Sequence, residues 1–293
     1  MAKKLAFPKI KFHNSGQKTD GGGLGFGWEL EYYHFLQRWN GGVPTPNCFK
    51  TKTFNDEFTV AAVKRFYGVH NEKASPHDLR QVVYQTWNDL PRGSIPIAEI
   101  EIEDTEWDLC ILLTFTWTER INKIYMLANP HDCGPFDPDD LSELILVANS
   151  LPTFLNSLKP REYFCYRSWY ELPVPASELQ PVANLLMSNG VEDLWGHLTS
   201  VPERHCSLGR HPTDNYSVWL ARPNTSIRDI GPPKKINSEH SILAIDTYRW
   251  VQADAEKSIK TALKSLGLGR KLKKIGESGL AKKPGPFAPS RIK

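Results

Sequence analysis

The first half of this chain takes its fold from one stretch of sequence, which runs Tyr32-Tyr33-His34-Phe35-Leu36-Gln37-Arg38-Trp39-Asn40-Gly41-Gly42-Val43-Pro44. Its large apolar side chains recur at the i, i+3, i+4 and i+7 spacing of one helical face, at Tyr32, Phe35, Leu36 and Trp39. The helix should end at Asn40-Gly41-Gly42, because glycine readily takes the left-handed backbone that closes a helix C-terminus. Pro44 lacks the N–H that a continuing helix needs. The stretch therefore predicts an amphipathic helix with an abrupt end.

Strand patterns and two further helix patterns follow this stretch, up to residue 160. Strands are predicted where apolar and β-branched residues run together, over residues 60–69, 95–102, 109–117, 123–127 and 144–148. One helix is predicted over residues 79–87, behind a Ser75-Pro76 cap, and another over residues 151–158, behind Asn149-Ser150. Consecutive strands with helices grouped around them indicate an α+β fold.

The second half has weaker patterns. Helices are predicted over residues 177–189, 191–198 and 253–266, strands over residues 216–220 and 242–250, and irregular chain over residues 169–175. This part is α/β-rich, but its architecture stays unassigned. We therefore divide the chain into a flexible glycine-rich entry (1–27), a first domain (28–160), an unassigned C-terminal region (161–266) and a basic, disordered tail (267–293).

The composition is that of a folded chain without a membrane span. Of 293 residues, 40% are hydrophobic and 24% are charged, which allows a sizeable core and excludes global disorder. Apolar runs are strand-sized, shorter than the roughly 18 residues of a spanning helix, and the N-terminus has no signal-peptide core. Five widely spaced cysteines fit reduced thiols better than a disulfide framework. We therefore expect a soluble, cytoplasmic protein.

Charge is distributed unevenly along the chain. Residues 257–293 hold 11 Lys and Arg against one carboxylate, Glu277; subtraction from the totals of 36 and 33 leaves 25 basic and 32 acidic residues in 1–256. Phe287 is the sole aromatic residue of the basic end, so the composition disfavours stacking on bases and leaves phosphate contacts. A nucleic-acid partner is therefore possible only through the basic tail. A disordered end that only aids solubility is the alternative.

Six carboxylates crowd into ten residues with no basic residue among them: Glu99, Glu101, Glu103, Asp104, Glu106 and Asp108. Ile100 and Ile102 alternate with the first three, so on a strand these carboxylates share one face and the isoleucines share the other. Three interpretations remain open. The carboxylates form an ordinary solvated strand face and turn, an acidic surface for a cationic partner, or, with further ligands from elsewhere, a site for a divalent cation.

Other sequence patterns do not predict a phosphate-binding, metal or catalytic site. The glycines of residues 21–27 lack the Lys-Ser/Thr and the preceding strand of a phosphate-binding loop. His205, Cys206 and His211 supply at most three ligands, at a spacing unlike that of a zinc knuckle. An enzyme within residues 161–250 would rest only on its Trp, His and Cys content. We therefore expect no metal, no cofactor and no catalytic residue.

Four pieces of sequence, in order, resemble the SUKH superfamily, the Smi/Knr-type domain, over about residues 28–158. The first resembles a family helix of the form Tyr-x-x-Phe-Leu that runs into Asn-Gly-Gly and a proline, although Tyr33 lies one residue closer to Phe35 than this form requires. The residues of this piece are Tyr33, Phe35, Leu36, Trp39, Asn40, Gly41, Gly42 and Pro44. The other pieces are Phe66-Tyr67-Gly68, then Leu90-Pro91 with Ile95-Pro96-Ile97-Ala98, and finally Val147-Ala148-Asn149-Ser150 before Phe154-Leu155. The resemblance implies a mostly antiparallel sheet with packed helices.

The resemblance also implies a function in protein recognition. Bacterial members of the family are typically immunity proteins that neutralise toxins, often nucleases, of polymorphic toxin systems. Fungal members act as interaction proteins in cell-wall regulation. The expected function is therefore a non-catalytic binding module with a nuclease-type toxin as partner, with a regulatory interaction protein without a toxin partner as the alternative. A basic nuclease would suit the acidic residues 99–108 as a contact surface.

Overall fold

The chain divides into two compact units in the computed structural model, residues 1–160 and residues 161–293. Each unit has its own sheet and its own apolar core. The structure describes residues 7–15, 30–52, 58–70, 76–86, 90–102, 110–116, 119–128, 144–194, 196–201, 206–211, 216–223, 225, 227, 232 and 236–280.

The first unit combines helices with antiparallel sheets. Its described helices are α1 (Glu31–Arg38), α2 (Leu79–Thr86) and α3 (Leu151–Ser157). In the part of this unit that the structure describes, a ribbon joins β1 (Lys11–His13) to β2 (Val43–Thr45), and a six-stranded sheet follows chain order through β3 (Cys48–Lys52), β4 (Phe58–Phe66), β5 (Ser94–Ile102), β6 (Cys110–Phe115), β7 (Ile124–Ala128) and β8 (Ile145–Ala148). Neighbouring strands are antiparallel throughout. The expected α+β class is confirmed.

Helix α1 buries the apolar face that its sequence predicts. Phe35 is fully buried, and its ring contacts the rings of Phe12, Trp39 and Phe66. Trp39 is half-buried at the end of the same face. Removing a side chain of this size from water contributes about 2–3 kcal/mol to stability. The helix is therefore held by packing on the sheet rather than by propensity.

The start of α2 differs from the sequence prediction. The helix begins at Leu79, and the residue before it, Asp78, is buried and accepts a hydrogen bond from the backbone N–H of Arg80. Its second carboxylate oxygen accepts the N–H of His70. Asp78 therefore caps the helix by the usual side-chain mechanism. The predicted cap residue Ser75 lies outside the described residues.

Part of the predicted flexible entry, residues 1–27, is ordered. Residues 11–13 form β1, which pairs with β2. Phe12 in that strand contacts the rings of Phe35, Phe66 and Trp39. The prediction of flexibility was wrong for this segment, because one aromatic side chain fixes it on the core. The glycine-rich part of the entry lies outside the described residues.

The second unit is built on a second antiparallel sheet. Its described strands follow the order β10-β11-β12-β13-β9-β14, with β9 (Cys165–Leu172), β10 (Glu192–Asp193), β11 (Cys206–His211), β12 (Tyr216–Ala221), β13 (Ser241–Tyr248) and β14 (Lys273–Gly279). Helices α4 (Gln180–Ser188) and α5 (Gln252–Ala262) contribute to one apolar cluster, which contains Tyr170 and Leu243. A separate cluster surrounds Trp169 and Trp219. Alternation along each strand therefore separates two apolar layers.

Three predictions for this unit were wrong. Residues 169–172, expected to be irregular, belong to the strand β9, and residues 191–198, expected to be helical, contain β10 and turns. The tail was predicted to be disordered from residue 267, yet Lys273–Gly279 forms β14 along β9. Ile275 anchors this strand, since it is 6% exposed within the cluster of Trp169. Residues 281–293 lie outside the described part of the chain.

A buried ion pair runs across the sheet of the second unit. Arg167 and Asp246 are direct neighbours on β9 and β13, and both side chains are fully buried. Arg167 donates to both carboxylate oxygens and to the carbonyl of Ile227, and Trp219 donates its indole N–H to Asp246. A buried charge pair needs this degree of hydrogen bonding to offset its loss of hydration.

Candidate functional site

The Asn-Gly-Gly motif after α1 contacts the residues that directly follow β4. Asn40 is buried with φ 52°, and its side-chain amide donates to the carbonyl of Val69 and accepts the N–H of Val69, both at 2.7 Å. Gly68 lies so close that a Cβ there would be 2.3 Å from the Asn40 carbonyl oxygen. The motif therefore both ends the helix and holds it to the sheet.

The remaining pieces of the resemblance meet at the same helix. The hydroxyl of Tyr32 lies 2.5 Å from the carbonyl oxygen of Tyr67 and 2.9 Å from that of Ile97. Glu31 accepts the N–H of Leu151 at 2.6 Å, at the start of α3. Four segments that are far apart in sequence are thus joined around α1, and their motif residues contribute packing and backbone contacts.

The acidic segment begins on strand β5 of the first sheet. Glu101 is exposed and Glu99 is partly exposed, whereas Ile100 and Ile102 are at most 5% exposed. This is the alternation that the sequence predicts. The other four carboxylates of the proposed surface lie outside the described residues: Glu103, Asp104, Glu106 and Asp108.

The neighbouring strand reduces the negative charge that the sequence suggests. Lys64 on β4 forms an ion pair with Glu99, with 3.0 Å between Nζ and Oε1, and Arg65 is the direct cross-strand neighbour of Glu99. Burial alone would lower the pKa of Lys64, but the hydrogen bond to Glu99 together with the negative charges of Glu99 and Glu101 raises this pKa above its ordinary value. Of the two described carboxylates, Glu101 is therefore the one that presents an exposed charge.

The edge of the same sheet carries a second kind of surface. Phe58 is 44% exposed, and the ammonium group of Lys50 lies 3.6 Å from the centroid of its ring. Lys52 lies on β3, the strand that also carries Lys50, and its ammonium nitrogen is 5.7 Å from the centroid of the same ring. Burial lowers the pKa of Lys50. An exposed aromatic ring beside cations is typical of a contact surface rather than of a catalytic centre.

Metal ligands and membrane-spanning helices are not found in the described part of the chain. Within the described residues, no group of three or more His, Cys, Asp and Glu side chains is arranged to hold a metal ion. No described helix is long and apolar enough to cross a membrane. Cys206 lies on β11, while His205 is outside the described residues. The divalent-cation interpretation of residues 99–108 stays untested, because it depends on the carboxylates beyond Ile102.

A polar network in the second unit was not predicted from the sequence. Lys274 on β14 contacts Glu256 on α5 at 2.8 Å and Glu277 at 2.6 Å. Gln252 donates to Glu277 at 2.7 Å and to Glu256 at 3.1 Å. The strand and the helix are separate in sequence, so no local pattern could reveal the network. Lys274 bridges the two carboxylates, and these contacts join β14 to α5.

The protonation of this network follows from its contacts. Burial alone would raise the pKa of Glu256, but the hydrogen bond and charge of Lys274 hold that pKa below its ordinary value. The hydrogen bond from Lys274 likewise lowers the pKa of Glu277. Burial would lower the pKa of Lys274, and its two carboxylate partners raise it instead. All three groups are therefore charged at neutral pH.

Comparisons with known proteins identify no relative. Protein-family models, curated proteins and solved structures were each searched, and none gave a significant match to this chain.

Proposed function

We propose that the first unit is a SUKH-like protein-recognition module and that the chain is a non-catalytic immunity protein against a nuclease-type toxin. The observation that carries the proposal is the exposed carboxylate of Glu101 on β5. This strand is paired on both sides, and Ile100 and Ile102 anchor it in the core. A rigidly held charge loses little conformational entropy on binding. Its sign complements the basic, phosphate-binding cleft of a nuclease.

The packing around α1 supports the SUKH-like assignment. The sequence pieces of the resemblance lie close together in the first unit. Asn40 binds Val69, Tyr32 reaches the carbonyl oxygens of Tyr67 and Ile97, and Phe154 contacts the ring of Phe66. This proximity is compatible with one structural signature, and it is the structural support for the proposal.

A second candidate function is that of a regulatory interaction protein without a toxin partner. It is favoured by the mixed character of the described surface, where Lys64 pairs with Glu99 and cations flank the exposed ring of Phe58. A surface of both signs with an aromatic residue fits a partner that is less basic than a nuclease. The two candidates differ in the charge that the partner must carry.

The proposal predicts that a toxin domain is encoded next to the gene for this chain, and the test uses that domain. Co-expression of the chain should restore growth of bacteria that produce this domain. In binding kinetics at low salt, Glu101→Lys should slow association about tenfold, and the loss should shrink at high salt, because steering by charge is screened. The exposed Glu239 of the second unit provides the matched control, since Glu239→Lys changes the net charge equally.

Three results would contradict the proposal. A neighbouring gene that encodes no toxin, with a regulatory protein as the bound partner, would favour the second candidate function. Equal association rates for Glu101→Lys and Glu239→Lys would remove β5 from the interface. Cleavage of nucleic acid by the purified chain would contradict the non-catalytic assignment.

A further inference from the structure

Helix α5 and the turn that follows it enclose a basic cleft in the second unit. The cleft has a volume of about 430 Å³ and is lined by Ala253, Glu256, Lys257, Lys260, Thr261, Lys264, Gly269 and Arg270. Its four basic side chains are exposed. Six of these residues belong to the C-terminal region 161–266 and two to the predicted tail 267–293. The tail alone therefore does not form the cleft.

The helix repeat and one glycine explain how the cleft is formed. Lys257 and Lys260 lie three residues apart on α5, and Lys264 follows in the 3₁₀ turn Leu263–Leu266. All three line the cleft, over about 10 Å of chain. A Cβ on Gly269 would lie 2.5 Å from the carbonyl oxygen of Lys260. Only glycine therefore lets the turn approach the helix this closely, which places Arg270 beside the row of lysines.

The cleft has a positive charge that the described residues do not neutralise. Its one acid, Glu256, is bound by Lys274 at 2.8 Å and lies 3.8 Å from Lys260. Within the described part of the chain, Lys257, Lys264 and Arg270 have no ion-pair partner. Lysines near a helix C-terminus stabilise the helix dipole, but this explains neither Arg270, which lies beyond the helix, nor the concave shape.

We propose that this basic cleft binds the phosphodiester backbone of a nucleic acid. A row of cations about 10 Å long fits a repeating anion better than a single phosphate, which would need its donors to converge on one point. The lining has no aromatic side chain on which a base could stack, so binding should be independent of base sequence. The cleft lies in the second unit, and this inference does not depend on the proposed function of the first.

The test is fluorescence anisotropy of the full-length chain with labelled DNA and RNA strands of about 15 nucleotides, near the upper limit of single-strand site sizes. The variant Lys257→Gln, Lys264→Gln, Arg270→Gln should bind at least tenfold more weakly. Three lost phosphate contacts should also reduce the slope of log affinity against log salt by about 2. The control variant Lys9→Gln, Lys11→Gln, Lys123→Gln removes the same charge from the first unit and should bind like the parent chain.

Further variants and probes distinguish binding at the cleft from binding at the chain end or at a lipid surface. If the triple variant loses its circular dichroism signal, Arg270→Gln alone replaces it, with an expected loss of about threefold and a slope change of about 0.7. Wild-type affinity of the folded cleft variants would overturn the proposal. Loss of binding in Lys282→Gln, Lys283→Gln alone would assign binding to the chain end instead. Cleft-dependent binding to phosphatidylserine vesicles without binding to the strands would identify a lipid surface and would also overturn it.

Discussion

At the scale of single residues, the Arg167–Asp246 pair is the most consequential contact of the second unit. Both side chains are fully buried, and Asp246 is the only described carboxylate that contacts this guanidinium. Asp246→Asn should destabilise the chain by about 3–5 kcal/mol, because the variant leaves an arginine charge buried without its counter-charge. Urea unfolding measures the loss.

A paired replacement serves as the control for this prediction. Arg167→Met with Asp246→Leu removes both charges together, and the free energy of unfolding should fall by much less than in Asp246→Asn. A single variant as stable as the parent chain would show that the charge of Arg167 is compensated by another group. The sequence could not reveal this pair, since an Arg and an Asp 79 positions apart carry no local signal.

Two glycines separate steric from conformational effects. At Gly68 an added Cβ would lie 2.3 Å from the carbonyl oxygen of Asn40. At Gly267 an added Cβ would meet no atom within 4 Å, but the residue would have to keep a backbone φ of +68°. Gly68→Ala should therefore cost about 3 kcal/mol or more, and Gly267→Ala about 1 kcal/mol. Thermal unfolding of both variants checks the order, and equal losses would mean that α1 does not depend on this close contact.

At the scale of elements, the sequence predicted best where side chains repeat with a clear period. The apolar stripe of α1, the cap of α3 and the continuous apolar run of β6 agree with the structure. Strand β9 was missed because Arg167 and Ser168 lie inside it, although both are buried. Strand β14 was missed because its lysines and glycines suggest disorder, while the contacts that order it come from β9 and α5.

The attachment of β14 should weaken in acid. The pKa values of Glu256 and Glu277 are below their ordinary values in the folded chain. The stabilisation is therefore present above the unfolded pKa of about 4.3 and is lost as the pH falls through the folded values. Hydrogen exchange of the β14 amides should accelerate below about pH 4 more than that of β12.

A matched variant tests the cause of this acid sensitivity. Glu256→Gln with Glu277→Gln removes both titrating groups, so the difference in exchange between pH 7 and acid should become smaller for β14. An unchanged pH profile in this double variant would mean that other carboxylates hold the strand. Because both groups are partly exposed, solvent screening limits the effect.

At the scale of the whole molecule, the sequence indicated the composition of the candidate surfaces but not their final charge. The acidic segment contains no basic residue in its sequence, yet Lys64 on the neighbouring strand β4 forms an ion pair with Glu99. In the basic cleft the signs are reversed: the acid is Glu256, and Lys274 on β14 pairs with it, so the cleft keeps its positive charge. Pairings between strands and helices decide both outcomes, and a single sequence does not contain them.

Each unit has its own apolar core, so each should respond to its own core substitutions. Phe35→Ala removes a fully buried ring from the first core and should cost about 3–5 kcal/mol. Tyr84→Ala, at a side chain that is 84% exposed, should change stability by less than about 0.5 kcal/mol. Exchange mass spectrometry in urea should show Phe35→Ala lowering protection in residues 30–160 and Asp246→Asn lowering it in residues 161–280. Loss of protection across both ranges in either variant would show that the two cores unfold as one cooperative unit.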